Sequence, residues 1–310
     1  KSVMLHQERS VKNELQGINQ KGFNVVGANI DSTKGLSIEN IMIFNQVGDY
    51  KAFGVENIKD LILNDQVYAL EKITDLDLSD RKLGSQGAKI IGRNLKWMNL
   101  IKLDLSRNII SQEDAIAIAY NKTWIKLQEL VLNSNKISDK GAIAISENPC
   151  WKNLRKLQLE SNSISDLGAK ALGMNSTWEK LEVLDLSQND IGEEGAIAIG
   201  CNTSWKFLTK LDISSNKIGN KGAKAIARNI TWIWLEELNL AENKIGDVGA
   251  TEIGSNTSWK NLKILSLERN FFSDRGAAAI AENRAWTKLE ELYLYYNSLS
   301  EKFKDKLEKK

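Results

Sequence analysis

Tryptophan stands at 97, 124, 151, 178, 205, 232, 259 and 286, each 27 residues after the last. Asparagine keeps the same step at 108, 135, 162, 189, 216, 243, 270 and 297. So do the pairs Gly141-Ala142, Gly168-Ala169, Gly195-Ala196, Gly222-Ala223, Gly249-Ala250 and Gly276-Ala277. No insertion interrupts the period. Self-similarity of this kind restricts the chain to stacked units, each of which buries its apolar side against its neighbours. A chain of 310 residues is then an elongated array and needs no single large core.

One unit reads Trp-x-x-Leu-x-x-Leu-x-Leu-x-x-Asn-x-Ile, then Gly-Ala-x-x-Ile, then Asn before the next Trp. Leu157-x-Leu159 alternates with period 2, which predicts a short strand with one buried face. Asn162 follows where the chain must turn, and its amide can bond the backbone of neighbouring turns. Repeated, such amides form a ladder. Residues 166–174 place Gly168, Ala169 and Leu172 at helical spacing, and the small residues let the helix lie close to the strand layer. Asn175 is expected to end that helix in the left-handed conformation. The tryptophans are read as internal packing residues.

This phrase resembles the ribonuclease-inhibitor-like class of leucine-rich repeats. The Gly-Ala helix and the Asn-x-x-Trp entry are most similar to repeats of NOD-like receptors and related bacterial proteins, with Trp where those carry Leu. The resemblance spans roughly 58–310. It implies an α/β solenoid, a horseshoe with a parallel sheet on its concave side and helices on its convex side. It also implies protein binding, though only in general terms, because fold does not dictate function.

The array is expected to occupy 73–299 as nine repeats, the first with Arg81 in place of the asparagine. Upstream, Ile58-x-x-Leu61-x-Leu63 and Ile38-x-x-Ile41-x-Ile43 fit the phrase at spacings of 15 and 20. Residues 23–30 can add a strand, and 1–16 an amphipathic helix through Met4, Val11 and Leu15. Residues 1–72 are therefore read as an irregular N-terminal cap. Ser300 is positioned to cap a terminal helix over 300–310 that carries Phe303 and Leu307.

Functional information should lie where the repeat varies. The outward column at the strand centre reads Asp77, Asp104, Val131, Gln158, Asp185, Asp212, Asn239, Ser266, Tyr293. Asp185 and Asp212 are adjacent like charges at a strand spacing of about 4.8 Å. This strip is the expected partner-binding surface, with Tyr293 and Tyr295 as its anchors, since tyrosine is enriched at binding hot spots. A second candidate is lateral. Phe207 and Trp234 fill a column that is otherwise Lys or Asn, and Ile230 and Ile233 replace polar residues beside them. A weak homo-oligomer of an otherwise monomeric chain would use this contact.

The remaining chemistry is sparse. His6 is the one histidine, and no Ser-His, Cys-His or zinc constellation can be built on it. No Gly-rich phosphate loop precedes a Lys-Ser/Thr. The expectation is therefore no enzyme, no cofactor and no metal. A remote alternative is a GTPase-activating protein working through Arg81 or Arg107, by analogy with some ribonuclease-inhibitor-like proteins. With 42 basic and 40 acidic residues, a net charge of +2 gives no global attraction to nucleic acid. No apolar run reaches the roughly 18 residues of a membrane helix. Cys150 and Cys201 sit in different columns and read as free thiols, which suits the cytoplasm or delivery into a host cytosol; the start at Lys1 leaves secretion open. Five Asn-x-Ser/Thr sequons, at Asn121, Asn175, Asn202, Asn229 and Asn256, all fall in the helix-ending asparagine column. Two functional classes follow: a stand-alone interaction protein such as a microbial effector, or the sensor or scaffold repeats of a larger receptor of the NOD-like type.

Overall fold

The computed structural model describes residues 49–51 and 73–308. Ten short strands form one sheet in strict sequential order, every pair parallel. They are β1 (Asp49–Lys51), β2 (Asp75–Asp77), β3 (Lys102–Asp104), β4 (Glu129–Val131), β5 (Lys156–Gln158), β6 (Val183–Asp185), β7 (Lys210–Asp212), β8 (Glu237–Asn239), β9 (Ile264–Ser266) and β10 (Glu291–Tyr293). From β2 onward a helix follows each strand: α1 (Gly84–Gly92), α2 (Gln112–Ala119), α3 (Ser138–Ser146), α4 (Asp166–Gly173), α5 (Glu193–Gly200), α6 (Gly219–Ala227), α7 (Asp247–Gly254), α8 (Asp274–Ala281) and α9 (Glu301–Glu308). The chain is an α/β leucine-rich-repeat solenoid. Strands pack about 4.8 Å apart and helices about 8–10 Å apart. One rise per turn cannot satisfy both spacings, so the stack bends with the sheet inside.

Each strand is three residues long because only its middle leucine needs to point inward. Register is fixed at one repeat, with Leu157 opposite Leu184 and Leu184 opposite Leu211. The leucines, the isoleucine of the turn and the tryptophan of every repeat form one continuous buried core. Successive tryptophans lie in parallel, ring centroids 6.4 Å apart for Trp97–Trp124, Trp124–Trp151 and Trp259–Trp286. Their indole N–H groups are buried and donate to no group among the described residues, so the column is held there by packing.

Polar ladders join the repeats. Asn189 Nδ2 donates to the carbonyls of Leu159 (2.9 Å), Leu186 (3.0 Å) and Ser187 (3.0 Å). Its Oδ1 accepts from the backbone of Asn162 (3.0 Å) and Ile164 (2.9 Å). The turn asparagine thus works as its spacing predicts. The second asparagine does not. The helix before it ends at Met174 in the right-handed region (φ −86°, ψ −6°), and Asn175 is buried. Asparagines of this column reach back instead: Asn202 Nδ2 donates to Gly173 (2.9 Å) and Asn175 (2.8 Å) carbonyls, and its Oδ1 accepts from Ser204 and Trp205. Left-handed residues instead flank the turn asparagines, Arg107, Ser161, Gln188 and Glu242 before them and Ile109, Ser163 and Lys244 after, with φ between 54° and 59°.

A third ladder was not apparent in the sequence. Asp166 Oδ1 accepts from the backbone of Gly192 (2.8 Å) and Gly195 (2.7 Å), so a residue at the start of α4 caps the start of α5. Asp139, Asn220 and Asp247 act in the same way on the next helix. The Gly-Ala pairs serve this helix-to-helix approach rather than contact with the strands. A Cβ on Gly168 would lie 2.8 Å from Asp139 Oδ1 and 3.1 Å from the Ala142 Cβ of the preceding helix.

The expected helix at 1–16, the strand at 23–30 and the units at 38–43 and 58–63 lie outside the described residues. The strand beside β2 is β1, with Tyr50 opposite Leu76. The leucine phrase does not extend to this segment. Val47, Tyr50 and Ala52 keep the strand spacing 26 residues before Ile73, Leu76 and Leu78, but without a leucine. At the other end, Ser300 Oγ accepts from the backbone of Phe303, capping α9.

Asn189→Asp keeps the side-chain shape but places an acceptor against three carbonyls. It is expected to cost about 3 kcal/mol or more at pH 7. Burial raises the folded pKa of the introduced acid above its unfolded value. The penalty should therefore be smallest below about pH 4 and grow as the pH rises. Urea denaturation at several pH values measures this.

Candidate functional site

Because each leucine points into the core, its neighbours on the strand must point outward. Three outward columns therefore line the concave face: the residue before the strand leucine, the residue after it, and the residue two further on. None of the described helices covers this face.

The central column is partly structural. Asp104 Oδ1 accepts from Ser106 N (2.9 Å), Asp185 Oδ1 from Ser187 N (3.0 Å) and Asp212 Oδ1 from Ser214 N (3.0 Å), and each serine hydroxyl donates to the same oxygen. Asp77 does the same with Ser79. An Asp-x-Ser phrase therefore closes the strand end, a recurrence that the sequence displayed. Asn239 substitutes for it, accepting from Ala241 N at 3.1 Å. Gln158 and Tyr293 are half-buried, whereas Tyr295 is exposed.

From β2 to β10, the acids of the three columns are Asp75, Glu129, Glu237, Glu291, Asp77, Asp104, Asp185, Asp212, Glu160 and Glu268, ten in all. The bases are Lys102, Lys156 and Lys210. Lys210 is paired with Glu237 at 2.6 Å, and Lys102 lies 3.8 Å from Glu129. Burial pushes the Asp212 carboxyl up, and Asp185 adds to the effect against the Ser214 hydrogen bonds. Asn239 Nδ2 donates to its other oxygen at 2.9 Å. Glu160 is also raised, by burial and then by Asp185 and Asp212. Glu268 is raised by burial and by Glu242 and Asp212. The neighbouring Lys210, itself paired with Glu237, therefore does not cancel the repulsion between Asp185 and Asp212. Among the described residues, no three His, Cys, Asp or Glu are placed to hold a metal ion.

The tyrosines form a connected end to the strip. Tyr293 and Tyr295 meet edge to face at 6.1 Å, and Tyr295 and Tyr296 at 5.3 Å. Tyr293 donates its hydroxyl proton to Glu291. The Arg269 guanidinium lies 4.7 Å from the Tyr296 ring centre and 3.3 Å from Glu242.

The lateral candidates are also brought together. Phe207, Ile230, Ile233 and Trp234 are each half exposed or more, at 55%, 71%, 50% and 51%. In the column of Phe207 and Trp234, polar residues pair between repeats: Lys126 with Asn99, Lys180 with Asn153 and Lys288 with Asn261, each at 2.7 Å. Phe207 and Trp234 take the place of one such pair. Ile230 also borders a cavity of about 520 Å³ against α5 and α6. The cations there are engaged, Lys221 by Glu193 and Arg228 by Glu252.

Two further groups find their places. Both cysteines are free thiols, and Cys201 is exposed. The sequon asparagines are buried, with Nδ2 of Asn121, Asn202 and Asn229 each donating to two carbonyls, so these amides cannot carry glycan in the folded chain.

Five stretches, 125–146, 152–173, 179–200, 206–227 and 233–254, match the family model for the Leucine Rich repeat. These units are leucine-rich repeats. Among solved structures, the chain is similar to a plant peptide hormone receptor, RGFR1, in complex with RGF2, at 21% identity and a TM-score of 0.45, covering 76% of this chain and 41% of that one. It is also similar to a TDR receptor, at 16% identity and a TM-score of 0.37, covering 79% of this chain and 46% of the other. The chain spans less than half the length of each receptor. No curated protein matches it. None of the described helices is long and apolar enough to cross a membrane.

Asp212→Asn tests the strip's electrostatics. The raised pKa of Asp212 means that its ionisation costs stability as the pH climbs above the ordinary carboxylate value near about 4. The asparagine should stabilise the chain at pH 7, by up to about 1 kcal/mol, the scale of relieving a like-charge pair across adjacent strands. The gain should shrink as the pH falls towards 4 in thermal melts.

Proposed function

We propose that this leucine-rich-repeat solenoid is a protein-interaction module that holds a partner polypeptide on its concave face and does no chemistry of its own. One observation carries the reading. Inward columns and inter-repeat ladders are fixed by packing and hydrogen bonding, whereas the outward sheet columns vary from repeat to repeat and are covered by none of the described helices. A continuous surface with free choice of side chain is where specificity can be written. The helix of eight or nine residues in every full repeat supports the ribonuclease-inhibitor-like subclass over repeats that return by loops. Gln158→Trp with Asn239→Trp places two indoles on the centre of the face. Affinity capture with quantitative mass spectrometry should then show partners of the natural chain reduced roughly tenfold or more, about 1.4 kcal/mol. The helix-side pair Lys140→Glu with Lys170→Glu should retain them. Equal retention by both variants would exclude the concave face.

A second contact is favoured by the break in the Asn–Lys column. Phe207, Trp234, Ile230 and Ile233 are proposed as a lateral self-association surface. Sedimentation of the natural chain should show a concentration-dependent dimer that Phe207→Lys with Trp234→Lys abolishes. A dimer that survives both substitutions argues against this contact.

A further inference from the structure

We propose that the concave face takes an extended polypeptide segment rich in arginine and lysine, its cations seated over β5–β7 and its end reaching the tyrosines of β10. This rests on the reading of that face as the binding surface and adds the chemistry of what it binds. The first support is charge placement. The whole chain is slightly basic at +2, yet from β2 to β10 the three outward columns hold ten carboxylates against three lysines. The face is therefore strongly negative on a chain that is not, and two of the three lysines are already paired. A low-dielectric sheet floor beneath like charges focuses their field outward. It attracts cationic segments and repels polyanions such as nucleic acid.

Second, the face does not neutralise itself. The serines that close the strand ends are neutral donors, and they engage one oxygen of each aspartate. Glu268 Oε2 is shielded from solvent and accepts no hydrogen bond from the described residues. Glu160, Asp212 and Glu268 all have raised pKa values, through burial and then neighbouring carboxylates, although Arg107 opposes the shift at Glu160 and Arg269 at Glu268. A bound guanidinium or ammonium group would relieve that repulsion.

Third, the chain displays the recognition it would offer. Arg269 lies over the Tyr296 ring at 4.7 Å with Glu242 at its side, an aromatic face plus a carboxylate receiving a guanidinium. Tyr293 and Tyr295 continue that aromatic surface towards the strip. Strands about 4.8 Å apart make the nine-strand strip roughly 38 Å long. An extended chain at about 3.3 Å per residue covers it in about twelve residues.

The test uses three fluorescein-labelled twelve-residue peptides in fluorescence anisotropy with the full chain. One alternates Arg and Ser, one replaces Arg by Glu, and one replaces Arg by Gln. The concave variant is Glu160→Gln, Asp185→Asn, Asp212→Asn. It keeps the turn-closing acceptor, as Asn239 already does in this column. A control removes the same charge elsewhere through the exposed residues Glu147→Gln, Glu179→Gln and Glu194→Gln, and a fourth protein carries Gln158→Trp. The arginine peptide should bind, and more weakly as salt rises. The concave triple should weaken it roughly tenfold or more, the control less than about twofold. The other two peptides should not bind. Loss that is equal in control and concave triple, or no binding of the arginine peptide at low salt, overturns the proposal. If the glutamine peptide binds equally well and Gln158→Trp abolishes it, the concave reading stands and the cationic one falls. If arginine-peptide binding ignores both Gln158→Trp and the concave triple, both readings fall.

Discussion

No repeat of this chain can satisfy its own backbone. Three-residue strands leave carbonyls and amides open on both sides, and the turns and helix ends leave more. Each is closed by the repeat before or after. Asn189 serves the backbone of 159–164, Asn202 serves the carbonyls of 173 and 175, and Asp166 serves the amides of 192 and 195. Buried backbone groups left unpaired are costly, so this mutual dependence fixes the period at 27 more firmly than apolar packing could. The indole column shows the contrast: its N–H groups find no partner among the described residues, and the rings contribute there by volume and contact.

Much of this was legible in the sequence because repetition amplifies weak signals. Leu-x-Leu in one place is ambiguous; eight times in register, with Leu211-x-Ile213 as the ninth, it is a sheet. The turn-asparagine ladder could be foreseen for the same reason. The second asparagine column was misassigned because asparagine suits two jobs, a left-handed helix end and a buried amide bridge, and spacing alone does not separate them. Burial does, and the column lies inside the stack. The forward-reaching aspartates escaped notice because an acid in the first turn of a helix already has a local explanation in the helix dipole. Its real partner is one repeat away.

The candidate surfaces were legible in a different sense. The sequence located the variable columns, and the structure separated two kinds of residue within them. Asp77, Asp104, Asp185 and Asp212 each close a local turn with serine, so their presence has a structural cause. Glu160 and Glu268 have no such duty, and they came to notice only when the neighbouring columns were brought together. β1 shows the limit of the pattern. Tyr50 replaces leucine there, so a pattern built on leucine does not register the strand that pairs with β2.

The direction of the ladders has a consequence for how the molecule can be cut. Asparagines reach towards earlier repeats, while aspartates reach towards later helices. A fragment that begins at an internal repeat loses the acid that capped its first helix, and its first turn asparagine keeps the carbonyls of its own repeat but loses its partners in the repeat before. A fragment that ends at an internal repeat keeps every bond its asparagines make, and its last aspartate merely turns to solvent. The array is therefore vectorial. Its two ends are chemically unlike, and shortening it from one end is not the mirror image of shortening it from the other.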